Sequence, residues 1–99
     1  MSNGRRISGD FLTLYCMCRE EGEEWKRPRL GMTISKRILR RMHDRAKLKR
    51  ILREIFRKKK AELKGNSGLI FRLARQPKSL LYKDIETECL TLLNRGGLL

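Results

Sequence analysis

The sequence predicts a small α+β domain, and three observations carry that prediction. Short apolar runs have strand character, one long segment without glycine or proline has helical periodicity, and a second amphipathic segment closes the chain. The order reads β-β-α-β-α, an open sandwich in which both helices bury apolar stripes against the sheet. Ninety-nine residues make one domain, residues 1–99, with no room for a separate catalytic module. A hydrophobic content of 39% and only two prolines favour a folded core over a disordered basic tail. The ends, residues 1–8 and 96–99, are expected to be flexible.

Residues 11–18, FLTLYCMC, form the first strand, with Leu12, Leu14 and Cys16 on one face and Phe11, Thr13 and Tyr15 on the other. A strand within residues 5–10 is a further possibility. The following segment, REEGEEWKRP, carries four of the eleven acids and reads as a solvated connection. Residues 29–35, RLGMTIS, resume the strand pattern, with Leu30, Met32 and Ile34 in step, and are expected to pair antiparallel with the first strand. Asp44 is a candidate N-cap for the nineteen residues RAKLKRILREIFRKKKAEL. On that helix Leu48, Ile51, Leu52, Ile55 and Phe56 share one side, and Lys49, Arg50, Arg53, Arg57 and Lys60 lie opposite. Residues 69–74 give another strand, and a final helix runs from about Ser79 to Arg95 with Tyr82, Ile85, Cys89 and Leu92 as its stripe.

Charge narrows the function. There are 25 Lys plus Arg against 11 Asp plus Glu, a formal net charge of +14. Between Lys36 and Lys60 stand thirteen cations and two acids, a surplus of eleven. With so few acids at i,i+4 spacing, the cations of this helix repel one another until a polyanion arrives. The candidate RNA-contacting residues are Lys36, Arg37, Arg40 and Arg41 in the approach to the helix, and Arg45, Lys47, Lys49, Arg50, Arg53 and Arg57 on it. Seven of the thirteen cations are arginines, whose planar forks pair with phosphate and stack on bases. No helix pair with a connecting turn and no zipper favours DNA. Tyr15 either packs in the core or stacks an unpaired base from the sheet surface.

Other chemistries are poorly served. His43 is the sole histidine, so a two-histidine ribonuclease is excluded. Asp44 and Glu54 point to different sides of their helix, while Asp84 and Glu88 share a face and are expected to be solvated. Ser35, Ser67 and Ser79 have no base nearby in sequence. Three cysteines at these spacings match neither a closed disulfide set nor a zinc pattern, which favours reduced thiols and a cytoplasmic setting. No run approaches a membrane span or a complete signal peptide.

The stretch Arg29 to Arg57, RLGMTISKRILRRMHDRAKLKRILREIFR, with the preceding FLTLY strand and the closing strand and helix, resembles the bacterial ribonuclease P protein component. The signature Arg-Asn-Arg of that family falls on Arg45, Ala46 and Lys47, so the asparagine amide is lost and the second arginine becomes lysine. The resemblance implies a left-handed β-α-β crossover and a place beside a large catalytic RNA, whose Mg²⁺-dependent hydrolysis removes the 5′ leader of precursor tRNA. Mg²⁺ would be held mainly by the RNA, and no catalytic residue and no obligate protein partner are expected in this chain. The resemblance further implies that Arg45, Lys47, Lys49, Arg50 and Arg53 face RNA, extended by Lys36 and Arg37, and that Tyr15 with Lys49 lines the leader site. Family members open with a phenylalanine-bearing helix that walls the leader cleft. The sequence from Met1, SNGRRISGDF, shows no such helix, so either the true start lies upstream, the chain is truncated, or leader affinity is reduced with the cleft half open. A ribosomal type of RNA-binding protein with no role in cleavage is the alternative. A third class is a basic amphipathic helix for acidic membranes or a partner protein.

Overall fold

A computed structural model describes residues 5–18, 29–63 and 67–98. The acidic connection within residues 19–28 lies outside these. The elements are β1 (Arg5–Ser8), β2 (Leu12–Cys18), β3 (Arg29–Thr33), α1 (Met42–Lys59), β4 (Ser67–Leu73) and α2 (Tyr82–Arg95). They give the expected mixed α+β architecture, with β1 realising the possible strand near the start. That strand also corrects the expectation of a flexible segment through residue 8.

The sheet order is β1-β2-β4-β3. β2 pairs antiparallel with β1 and with β4, whereas β3 runs parallel to β4 at the edge. The expected antiparallel pairing of β2 with β3 is therefore wrong. β4 lies between them and joins β3 through α1, because a parallel neighbour needs a crossover long enough to return the chain to the same end.

One face of the sheet is apolar. Leu14, Phe71 and Met32 stand in register across β2, β4 and β3, and Cys16, Leu69 and Leu30 form the neighbouring row. This face meets Leu48, Ile51, Leu52 and Ile55 of α1 and Ile85, Cys89, Leu92 and Leu93 of α2 in one buried cluster. Both helices thus cover the same face. α1 packs nearest β3, and α2 packs on β2 and β1. Burial of Cys89 pushes its thiol far above the ordinary range, with Glu88 and Glu86 adding to the effect, so it stays protonated.

The helix ends differ from expectation in instructive ways. α1 begins three residues before Arg45, with Arg41 rather than Asp44 at the N-cap and no side-chain cap. The backbone N–H of Arg45 already reaches Arg41 O at 3.1 Å, leaving Asp44 in the first turn, where its negative charge complements the positive end of the helix dipole. α2 begins at Tyr82 rather than Ser79. Ser79 stays outside the helix, where its hydroxyl bonds the Asp84 carboxylate and accepts the Leu81 N–H.

At the far end, Gly97 adopts φ +70°, Gly97 N–H donates to Asn94 O, and Leu98 N–H donates to Leu93 O at 3.0 Å. This paired closure needs a left-handed residue after the helix, which glycine supplies without strain. Leu98 is buried, so residues 96–98 close α2 instead of fraying as expected. Arg5 donates to Gly96 O and Arg95 to Ser8 O, tying β1 to the end of α2.

Candidate nucleic-acid interface

Two surfaces remain uncovered by the core, and both carry residues singled out from sequence. The first is the outer side of α1 with the turn that precedes it. Arg50, Arg53 and Arg57 are exposed, while Lys47, Lys49 and Arg45 are half-buried, with their stems against the body of the protein. Lys36, Arg37, Arg40 and Arg41 are exposed on the turn. The chain folds this way because the apolar residues of α1 recur at 48, 51, 52 and 55, which rotates positions 46, 50, 53 and 57 outward.

The turn has its own internal fastening. Ser35 O accepts the N–H groups of Ile38 and Leu39, and Ser35 Oγ accepts the N–H of Arg37 at 3.1 Å. From the helix, Arg45 Nη1 donates to Leu39 O and to Arg40 O, both at 2.8 Å. Lys36, Arg45, Lys49 and Arg53 line a groove of about 420 Å³ between α1 and the residues after β3, with Ile34, Met42 and Ala46 also on its walls. Arg37, Arg40 and Arg41 border a second hollow of about 240 Å³, together with Asp44 and Gln76.

Carboxylates neutralise little of this surface. Glu54 holds Arg57 through two contacts, 2.5 and 3.2 Å long, and this fork lowers the Glu54 pKa and raises that of Arg57. Lys59 pairs with Glu62 at 3.6 Å. Among the described residues, none of Lys36, Arg37, Arg40, Arg41, Lys47, Lys49, Arg50 and Arg53 has a carboxylate within ion-pair distance. Arg57 thus differs from the other predicted contacts in having its guanidinium already engaged by a carboxylate.

The second surface is the face of the sheet opposite the helices. Arg6, Tyr15, Ile70 and Gly31 stand in register across all four strands. Ile70 is 40% exposed, a large apolar side chain on a face that no described element covers. A Cβ at Gly31 would lie 3.4 Å from Ile70 Cγ1, so the glycine keeps this end of the row shallow. Tyr15 is half-buried among these neighbours, outside the core cluster. A hydrogen bond from Arg72 lowers its phenol pKa, with the charges of Arg72 and Arg6 acting in the same direction.

Sequence reasoning singled out Tyr15 but missed Arg6 and Arg72. Strand alternation was the available signal, since residues 70 and 72 fall opposite the buried 69, 71 and 73. Tyr15 and Lys49 are carried by different elements, β2 at the sheet centre and α1 above its β3 side.

Comparison with known proteins then decides the family. The family model described as Ribonuclease P matches residues 1–97. The chain belongs to the ribonuclease P protein family. A ribonuclease P protein component of Clostridium novyi is 28% identical over 95 residues, covering 96% of this chain and 81% of that protein. One from Salmonella arizonae is 47% identical over 36 residues, which span 36% of this chain and only 30% of that relative.

Solved ribonuclease P proteins share the fold. The Staphylococcus aureus protein superposes with a TM-score of 0.79 at 26% identity, covering 96% of this chain and 83% of that one. The Thermotoga maritima protein gives 0.72 at 23% identity, covering 94% and 84%.

The resemblance implies Mg²⁺, and the donor set bears on where it would sit. Among the described residues, no three His, Cys, Asp or Glu side chains gather in a way that could hold a metal ion. These residues do not fit a protein-held Mg²⁺ site. No helix of the described residues is long and apolar enough to cross a membrane.

Proposed function

We propose that this chain binds the catalytic RNA of ribonuclease P through α1 and the turn before it, and contacts the 5′ leader of precursor tRNA with the open sheet face. The observation that carries this reading is the set of exposed cations Lys36, Arg37, Arg40, Arg41, Arg50 and Arg53, none held by a carboxylate among the described residues. Phosphates on two RNAs repel as they approach, and a fixed array of cations at their junction lowers that repulsion and the Mg²⁺ needed for assembly. Bond cleavage and the Mg²⁺ that serves it belong, in this reading, to the RNA partner.

On the sheet face, the Tyr15 ring and Ile70 offer an apolar platform for an unpaired base, and Arg72 and Arg6 place positive charge beside it for the leader's phosphates. Stacking on such a platform contributes about 1–3 kcal/mol per base and accepts any sequence, as a leader of varied sequence requires. Lys49 would meet RNA on the helix side of the fold.

The test is reconstitution. The protein is added to a ribonuclease P RNA at limiting Mg²⁺ with a leader-bearing precursor tRNA. Faster 5′-leader removal is expected, together with tighter binding of precursor than of mature tRNA. Unchanged cleavage sinks the reading, and equal affinity for the two tRNAs sinks the leader contact.

A further inference from the structure

The turn before α1 is a single wall between two basic concavities. Lys36 projects on the side of the groove bounded by Lys49 and Arg53, whereas Arg37, Arg40 and Arg41 border the hollow on the other side. A short segment with this many like charges tends to splay, so something must hold it. The turn's backbone bonds to Ser35 are one fastening, and the other comes from Arg45.

We propose that Arg45 is a positioning residue: it holds the Lys36–Arg41 turn in the shape that presents cations to phosphates on both sides, and does not itself bind a phosphate through Nη1. The inference rests on the RNA-binding reading above and departs from the direct RNA contact that the family resemblance implies for Arg45. Both Nη1 hydrogens are aimed at backbone carbonyls of Leu39 and Arg40 at 2.8 Å, bonds that a charged donor makes stronger than a neutral one. Those carbonyls lie in the stretch that carries Arg40 and Arg41, so losing the bonds frees the cations and not only the helix end. The neighbouring residue strengthens the contrast. Ala46 has no polar group to share the task, and Lys47, the third member of the triplet, makes no such bond to the turn among the described residues.

The experiment uses the full chain and an Arg45→Met variant, which keeps an apolar stem and removes the donors. In the free protein, amide exchange at Ile38 and Leu39 should accelerate about tenfold, the loss expected for a charge-assisted bond. Affinity for ribonuclease P RNA should fall, and the slope of log K against log salt should lose more than the roughly 0.7–0.9 of a single phosphate contact. In an Arg37→Ala, Arg40→Ala, Arg41→Ala background, where Lys36 alone remains on the turn, the same change should cost much less RNA affinity than in the wild type.

Unchanged exchange overturns the proposal, as does an affinity loss fully additive with the three turn substitutions. NMR of the wild-type guanidinium groups supplies a check that needs no variant. Arg45 should be protected from exchange before RNA is added and Arg53 only afterwards; protection of Arg45 that begins only with RNA overturns the assignment. If the wild type shows no salt-dependent RNA binding, the RNA reading fails, while amide exchange still decides whether Arg45 holds the turn.

Discussion

Glu88 on α2 accepts the backbone N–H of Phe11 at 2.8 Å, and the same oxygen accepts that of Leu12 at 3.0 Å. The side chain is 8% exposed, so a carboxylate expected on a solvated face instead anchors the start of β2 to the covering helix. Backbone donors at the turn into an inner strand have few partners of their own, and a buried one left alone costs about 1–3 kcal/mol. Glu88→Ala is therefore expected to destabilise by at least that much in denaturant unfolding, and Glu88→Gln by less, since the amide oxygen still accepts.

Gly9 belongs to the same contact. A Cβ there would collide with Glu88 Oε2, so Gly9→Ala must displace the carboxylate. In a double-mutant cycle, Gly9→Ala and Glu88→Ala should be strongly non-additive, with the second change costing less once the first is present. Additive losses would show that the glycine serves another purpose.

The closure of α2 predicts a separate effect. Gly97→Ala places a side chain at φ +70° and should destabilise by about 1 kcal/mol, measured as a lowered thermal midpoint without loss of two-state unfolding.

Opposite sides of α1 should respond in opposite ways. Leu52 is 1% exposed within the core, and Leu52→Ala should lower stability by about 2–5 kcal/mol. Arg50→Ala and Arg53→Ala remove exposed side chains and should leave the thermal transition within about 0.5 kcal/mol of the parent. Loss of the transition in either arginine variant would mean that the helix is rotated from the orientation described.

Tyr15 provides a pH-dependent signature. Its phenol pKa is lowered from 10.0, first by the Arg72 hydrogen bond, so the phenolate is favoured in the folded protein. The linked stabilisation is absent at neutral pH, grows as pH rises through the lowered folded pKa, and is complete above the unfolded value near 10. In a Tyr82→Phe background, phenolate absorbance should show a midpoint below that of free tyrosine, and Arg72→Ala should move it upward. A midpoint insensitive to Arg72 would contradict the described contact.

These elements also show what sequence could reveal. The alternation Leu12, Leu14, Cys16 and the helical spacing Leu48, Ile51, Leu52, Ile55 are local patterns, and both map directly onto burial. The cationic side of α1 follows from the same spacing. Strand pairing was not legible, because β4 enters between β2 and β3 from more than thirty residues along the chain. The role of Glu88 was hidden for the same reason, since its partners are 76 and 77 residues away. Arg45 was legible as a basic residue but not as a turn fastener, because the carbonyls it finds depend on how residues 35–41 fold.

We propose that the uncompensated positive side of α1 and its turn grips a catalytic RNA. It is tested most directly by the affinity for ribonuclease P RNA across a salt series, for the wild type and for Arg50→Ala combined with Arg53→Ala. A steep linear fall of log K with log salt is expected for the wild type, and a slope shallower by roughly 1.4–1.8 when two phosphate contacts are removed. A wild-type affinity indifferent to salt, or a slope unchanged by the two substitutions, would contradict it.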